Sequence, residues 1–169
     1  MCGYKETRNN GKKLAATMKV NAVKLPLKIK QKTTVLKVSG LANGDSVASW
    51  KPGNTKVVKV SGKPNGTCTL AAGRKKGKTT ITIILKSGLK KKITITVQKA
   101  AVKTSKITGM PKNLKLKKNQ TVTLKAAAAP LTSLQKLKYK SSNKKIVTVT
   151  SKDVIKAKKK GKAVITVQS

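Results

Sequence analysis

Two stretches of this chain, residues 27–83 and 114–167, carry one pattern written twice. Leu27-Lys28-Ile29 answers Leu114-Lys115-Leu116, and Leu36-Lys37-Val38 answers Leu124-Lys125-Ala126. Trp50, followed by Asn54, Val58 and Val60, answers Tyr139, followed by Asn143, Val147 and Val149. Toward the end of each copy RKKGKTTITI from Arg74 matches KKKGKAVITV from Lys158, with Gly77 and Gly161 in register and Ile81 and Ile83 opposite Ile165 and Val167. A repeat with a period of roughly 85 residues is the size of a small domain, so the chain is expected to fold as two domains in tandem.

Within each copy the apolar residues alternate with polar ones, the period-2 signature of strands with one buried face. In LPLKIKQ from Leu25, Leu27 and Ile29 face one way and Lys28 and Lys30 the other; in ITITV, Ile93, Ile95 and Val97 alternate with threonines. Turn signals punctuate the strands: SGLANGDS from Ser39, KPGN from Lys51, GKPNG from Gly62 and KSGLK from Lys86. No stretch reads as a long helix. About seven short strands per unit, with turns every ~8–12 residues, predict an all-β chain of two tandem immunoglobulin-like β-sandwiches.

Charge is the feature that pattern does not explain. The chain has 41 Lys and Arg against 3 acidic residues, a net charge of +38. Only Arg8 and Arg74 are arginine, so the excess is nearly all lysine. Neighbouring strand positions lie roughly 5 Å apart, inside a screening length of about 8 Å at physiological salt, so the chain repels itself and anions are expected to stabilise the fold. Most single lysines have a plain reading, since half of every sandwich strand faces water.

Both copies resemble the bacterial immunoglobulin-like domain of group 2. The second carries the family's marks in order: Tyr139-x-Ser141-Ser142-Asn143, then Ile146-Val147-x-Val149, then Gly161-Lys162-Ala163-x-Ile165. The first fits less closely, with WKPGNTKVVKV from Trp50, an insertion KPNGT from Lys63 to Thr67, and LAAGRKKGKTTITI from Leu70. The resemblance implies a cell-surface or secreted location and says little about ligand, because these motifs specify fold. Residues 1–20 are expected to be a polar tether, 21–98 the first sandwich, 99–104 a linker and 105–169 the second sandwich.

The copies differ at their ends. After Ile83 the first continues through ILKSGLKKKITITVQ, a hairpin whose second strand is Ile93 to Val97, whereas the second stops at Ser169. The second sandwich is therefore expected to lack its last strand, leaving unpaired backbone groups and a slot in its core. Three explanations stand open: the chain is a fragment, part of residues 1–20 pairs in the slot, or a donor strand from another chain fills it, as in an assembly subunit.

Cys2, followed by Gly3 at the head of the tether, resembles the start of a mature bacterial lipoprotein, a lipid-anchored reading set against that of an incidental cysteine. Cys68 shares its facing with Leu70 and reads as a buried small hydrophobe. A disulfide between the two would require the tether to fold back.

Catalysis finds little to work with. The chain has no histidine, and its carboxylates, Glu6, Asp45 and Asp153, are scattered, so no paired acid and base is evident. No cofactor, metal or small-molecule substrate is expected, since zinc and calcium lack their usual ligand sets. GRKKGKTT from Gly73 lacks the glycine spacing of a phosphate loop and reads as a turn.

What remains is binding through charge. Arg74, Lys75, Lys76 and Lys78 correspond to Lys158, Lys159, Lys160 and Lys162, and Lys90, Lys91 and Lys92 form another dense run. These are the candidate sites for anionic polymers such as teichoic acids, acidic glycans or DNA, in a spacer and adhesin at the bacterial surface. A dedicated nucleic-acid binder is the alternative, disfavoured because lysine outnumbers the arginine that makes bidentate base contacts. Tyr4, Trp50 and Tyr139 are the only aromatics, and the last two fall at expected core positions. A strand-exchanging assembly subunit and engineered supercharging complete the alternatives.

Overall fold

The computed structural model describes residues 15–169, all of whose regular structure is β. The first repeat builds β1 (Lys19–Val20), β2 (Lys24–Lys28), β3 (Lys32–Thr33), β4 (Val38–Ser39), β5 (Val47–Pro52), β6 (Val58–Gly62), β7 (Cys68–Ala72), β8 (Gly77–Leu85) and β9 (Lys90–Gln98). One sheet runs β2-β9-β8-β5, antiparallel except where β2 pairs parallel with β9. The other runs β3-β7-β6, with β4 holding β1. Pro26 sits in β2, at a sheet edge, where a residue without an N–H is tolerated.

Alternation decides what goes inside. Ile81, Ile83 and Leu85 of β8 and Ile93, Ile95 and Val97 of β9 are all buried, opposite Leu36, Val58, Cys68 and Leu70 from the other sheet and its flanks. Fifteen buried residues form this core. Each large aliphatic side chain of the set contributes about 1.5–3 kcal/mol through burial.

The second repeat builds β10 (Lys106–Thr108), β11 (Thr121–Thr123), β12 (Ala127–Ala129), β13 (Lys138–Ser141), β14 (Val147–Val149), β15 (Val154–Ala157) and β16 (Ile165–Gln168). Its pairings repeat those of the first: β11-β15-β14 answers β3-β7-β6, β10-β12 answers β1-β4, and β13-β16 answers β5-β8. Trp50 pairs with Ile83 and Tyr139 with Val167, so the aromatic positions correspond. The turn after them is copied bond for bond. Asn54 Oδ1 accepts from the Lys56 N–H at 2.9 Å, and Asn143 Oδ1 from the Lys145 N–H at 2.9 Å. Gly77 and Gly161 share a reason too: a Cβ at Gly77 would lie 2.9 Å from Val57 Cγ2, and one at Gly161 2.6 Å from Ile146 Cδ1.

Two expectations need correcting. The Lys28 N–H donates to Gln31 Oε1 at 2.7 Å, and the Lys117 N–H donates to Gln120 Oε1 at 2.9 Å, in identical turns with Lys30 and Asn119 at φ 63° and 64°. Leu25 and Leu27 therefore answer Leu114 and Leu116, two residues away from the sequence alignment that set Leu27 opposite Leu114. A slip of two keeps every side chain on its own face, so alternation cannot detect it. The first sandwich also begins earlier than residue 21: Met18 is buried in its core and Lys19–Val20 pairs with Val38–Ser39. A strand of two residues is too short to show alternation. Residues 18–20 are thus committed to the first repeat and do not pair in the second.

The domains touch where the linker ends. Thr132, buried, donates its hydroxyl to the Pro26 carbonyl, Gln31 Nε2 donates to the Thr132 carbonyl at 2.9 Å, and Leu131 packs against the first core.

Candidate polyanion-binding turns and an open sheet edge

Three turns meet at one end of the first sandwich. The Lys30 N–H donates to the Gly73 carbonyl at 3.1 Å, and the Gly73 N–H donates to the Val57 carbonyl at 2.8 Å. These bonds draw the 28–31, 54–57 and 73–76 turns together, so the exposed Arg74, Lys75, Lys76 and Lys78 stand with exposed Lys28, Lys30 and Lys56. In the second sandwich the Asn119 N–H donates to Ala157 at 2.9 Å and the Lys158 N–H to Ile146 at 2.7 Å. The exposed Lys158, Lys159, Lys160 and Lys162 are thereby gathered with Lys117, Lys118, Lys144 and Lys145. Sequence reading found one turn of each trio. The matched Asn54 and Asn143 turns and the Lys-x-x-Gln turns were the signal for the others.

Lys90 to Lys92 lie apart from these groups. They stand opposite Thr82 to Ile84 of β8, beyond its start at Gly77 by about 17–23 Å at ~3.3 Å per residue. Lys90 and Lys92 are exposed, while Lys91 is half-buried and its Nζ donates to the Met18 carbonyl at 3.4 Å. Cys2, the candidate lipidation site, lies outside the described residues.

The other singled-out side chains hold structure. Asp45 Oδ2 accepts the Ser87 hydroxyl at 2.6 Å, and its Oδ1 accepts the Ser46 and Ser87 N–H groups, tying the start of β5 to the β8–β9 turn. The Ser87 hydroxyl chiefly holds its carboxyl below the ordinary range; desolvation opposes it, and the Ser46 and Ser87 N–H groups and Lys86 each add a smaller lowering. Cys68 is free and buried, its Sγ donating to the Leu36 carbonyl, and burial pushes its thiol up to about 11. Trp50 and Tyr139 are half-buried and not full core residues. Trp50 lies over Gly62, where a Cβ would fall 2.0 Å from indole Cδ1, and borders a cavity of about 200 Å³ between β5 and β6. Among the described residues no His, Cys, Asp or Glu cluster is placed to hold a metal.

The second sandwich also shows an edge the first does not. Among the described residues β16 pairs with β13 alone, where β8 has both β5 and β9. Residues 113–117, which answer β2, form no strand. Leu25 and Leu27 are 1% and 0% exposed, whereas Leu114 is 43% exposed and Leu116 half-buried. Val164 is 67% exposed. An open groove of about 530 Å³ runs beside this edge, lined by Thr104, Ser105, Lys106, Ile107, Gln168 and Ser169.

The described chain is thus an all-β protein of two immunoglobulin-like sandwiches. Residues 101–169, the second repeat, match the family model of the bacterial Ig-like domain of group 2. Similar solved structures include domains 5-6 of the S-layer protein SbsC, at 19% identity over 90% of this chain and 89% of that one, with a TM-score of 0.46. Domains 4 and 5 of SbsC match at 23% identity over 48% of this chain, with a TM-score of 0.37, and this chain spans 50% of theirs. A C-terminal fragment of intimin, solved with the intimin-binding domain of its translocated receptor, matches at 18% identity over 90% of this chain and 58% of that one, with a TM-score of 0.32. The search of curated proteins returned no match.

Proposed function

We propose that this chain is a non-enzymatic module of the bacterial cell surface or secreted space, part spacer and part adhesin, whose lysine-rich turns hold anionic polymers. Teichoic acids, acidic glycans and extracellular DNA are the ligand class. The observation that carries this reading is the recurrence of the same three-turn cationic end in both repeats. A polymer long enough to engage the Arg74 and Lys158 groups together gains avidity over either alone. Lysine suits such a ligand, since its ammonium acts as a point charge and demands no planar, bidentate geometry.

Any chain of this charge attracts polyanions by counterion release, which fades steeply with salt. The test therefore compares the folded protein with unfolded polylysine of matching charge, on teichoic acid, a heparin-like glycan, duplex DNA and anionic vesicles, from low to above-physiological salt. The expected result is one polymer that stays bound where polylysine has let go, with Lys75→Gln, Lys76→Gln, Lys159→Gln and Lys160→Gln together removing that residue of affinity. Binding that tracks polylysine on every ligand overturns the reading. Acylation of Cys2 would fix the module to a membrane face, and the mass of the protein from its own cell, with or without a lipid adduct at Cys2, decides that point.

A further inference from the structure

We propose that the cleft between β5 and β6 of the first sandwich is a subsite for one anionic sugar ring of a glycan, held between the indole of Trp50 and a wall formed by Lys63 and Pro64. The inference rests on the acidic-glycan member of the ligand class proposed above, and places one unit of that glycan away from the lysine turns. β5 and β6 are the outer strands of their two sheets and do not pair with each other. The Val47 N–H donates to the Pro64 carbonyl at 3.0 Å, and the Trp50 indole N–H reaches the Lys63 carbonyl at 3.5 Å. The second contact is longer than the usual ~2.7–3.2 Å of an N–H···O bond, so the indole N–H is loosely engaged and open to a ligand oxygen. Between these two contacts lies the cavity of about 200 Å³, bordered by Val47, Trp50, Val60, Gly62, Lys63 and Pro64. That volume is below the ~300–1,000 Å³ of pockets that take drug-sized ligands and suits a single ring.

The wall comes from the KPNGT insertion and is set before any ligand arrives. The Lys63 N–H donates to the Thr67 carbonyl at 2.8 Å, the Gly66 N–H to the Lys63 carbonyl at 3.2 Å, and the Thr67 hydroxyl to Asn65 Oδ1 at 2.7 Å. Gly66, at φ 84°, passes under the Val38 carbonyl, which lies 2.6 Å from where a Cβ would stand. A wall fixed in this way lowers the ordering cost of binding. The second repeat makes the same connection with a tight turn, the Asp153 N–H donating to Thr150 at 3.1 Å, and has Tyr139 at the aromatic position. The cleft's chemistry matches a sugar: the indole meets the C–H face of a ring, while its N–H and the outward backbone groups of two edge strands meet the hydroxyls. Charge fixes the sign of the ring. Lys63 is exposed at the cleft, and Lys51 and Lys92, both exposed and both paired with Thr82, lie in one row across the sheet for neighbouring units of the polymer.

The test uses the whole protein and three probes at above-physiological salt: an oligogalacturonate, the neutral galactan made by reducing its carboxyl groups, and inorganic polyphosphate. Affinity is read by calorimetry, and the site by the emission of Trp50, the chain's single tryptophan. The expected result is a saturable emission change with oligogalacturonate, at least tenfold weaker binding of the neutral galactan, and no emission change with polyphosphate. Lys63→Gln, at an exposed position, and Trp50→Tyr, which installs the aromatic of the second repeat, are each expected to lose at least tenfold in oligogalacturonate affinity. The variant carrying Lys75→Gln, Lys76→Gln, Lys159→Gln and Lys160→Gln is expected to keep the Trp50 response, so failure of the turns as polymer sites and failure of this cleft are distinguishable. Unchanged emission with oligogalacturonate, an equal response to galactan or polyphosphate, full affinity in either cleft variant, or loss of the response in the fourfold turn variant each overturns the proposal.

Discussion

The two repeats fold by the same rules to different degrees of closure. In the first, β9 completes a four-stranded sheet and the core takes in fifteen buried residues. In the second, the sheet that answers it is the pair β13-β16, and the buried apolar residues are Leu124, Ile155 and Ala157. Val58 is fully buried while its counterpart Val147 is only half-buried; Ile81 and Ile83 are 0% exposed while Ile165 and Val167 are likewise only half-buried. Turn hydrogen bonds and glycine positions are preserved despite this. Local rules thus specify turns and pairing, and closure of the core depends on the strand that lies between β2 and β8.

That comparison is broken most strongly by truncating a covered leucine and its uncovered counterpart. Leu27→Ala is expected to cost the first domain about 2–5 kcal/mol, because it opens a cavity in a closed core. Leu116→Ala is expected to cost the second about half as much, since that side chain is only half-buried. Urea unfolding followed by hydrogen exchange on each domain separates the two. Equal losses would show that the second core is as well packed as the first.

The converse variant closes the open edge. Ser169 stands at the position of Leu85, so a second copy of Lys86–Gln98 fused behind it enters in the register of the β8–β9 hairpin. Burial of its Ile-x-Ile-x-Val face against Leu114 and Leu116, less the ordering of the added residues, is expected to stabilise the second domain by about 2–3 kcal/mol. A gain in the first domain instead, or none, contradicts the equivalence.

A smaller difference lies beneath the aromatics. Gly62 leaves room for Trp50, and a Cβ there would stand 2.0 Å from the indole, so Gly62→Ala is expected to cost about 1–3 kcal/mol and to shift Trp50 fluorescence. Ser151, which answers Gly62 at the same offset that relates Val147 to Val58, lies in an exposed turn beyond β14. Ser151→Ala is expected to stay within about 0.5 kcal/mol.

The smallest effect concerns pH. Asp45 ties the start of β5 to the β8–β9 turn, with its carboxyl held below the ordinary range. A lowered folded-state value means that its stabilisation is present above the unfolded carboxyl's range and is lost as pH falls through the lower folded value. Asp45→Asn is expected to flatten the acid limb of the first domain's stability curve slightly and to leave the second domain's unchanged. An equal change in both domains would remove Asp45 from the account.

The sandwiches, their tandem order and the Gly77 and Gly161 match were legible in the sequence because period-2 alternation and turn chemistry are local. The register of Leu114 was not, since Leu25, Leu27 and Ile29 offer three equally alternating positions and only the Gln31 and Gln120 turn bonds distinguish them. The cationic runs were legible as runs. Their meeting with Lys30, Lys56, Lys117 and Lys144 was not, because backbone bonds between distant turns bring them together. The seat of Thr132 on Pro26 also escaped notice, since one buried threonine in a loop leaves no periodic trace.

Native-state hydrogen exchange on the free protein, comparing β8 with β16, tests the central claim most directly. The account predicts that β8 amides, paired on both sides, exchange only through global unfolding of the first domain, and that amides of 162–168 exchange far faster through local opening. Equal, slow exchange in the two strands would mean that the second edge is covered in solution, and would contradict it.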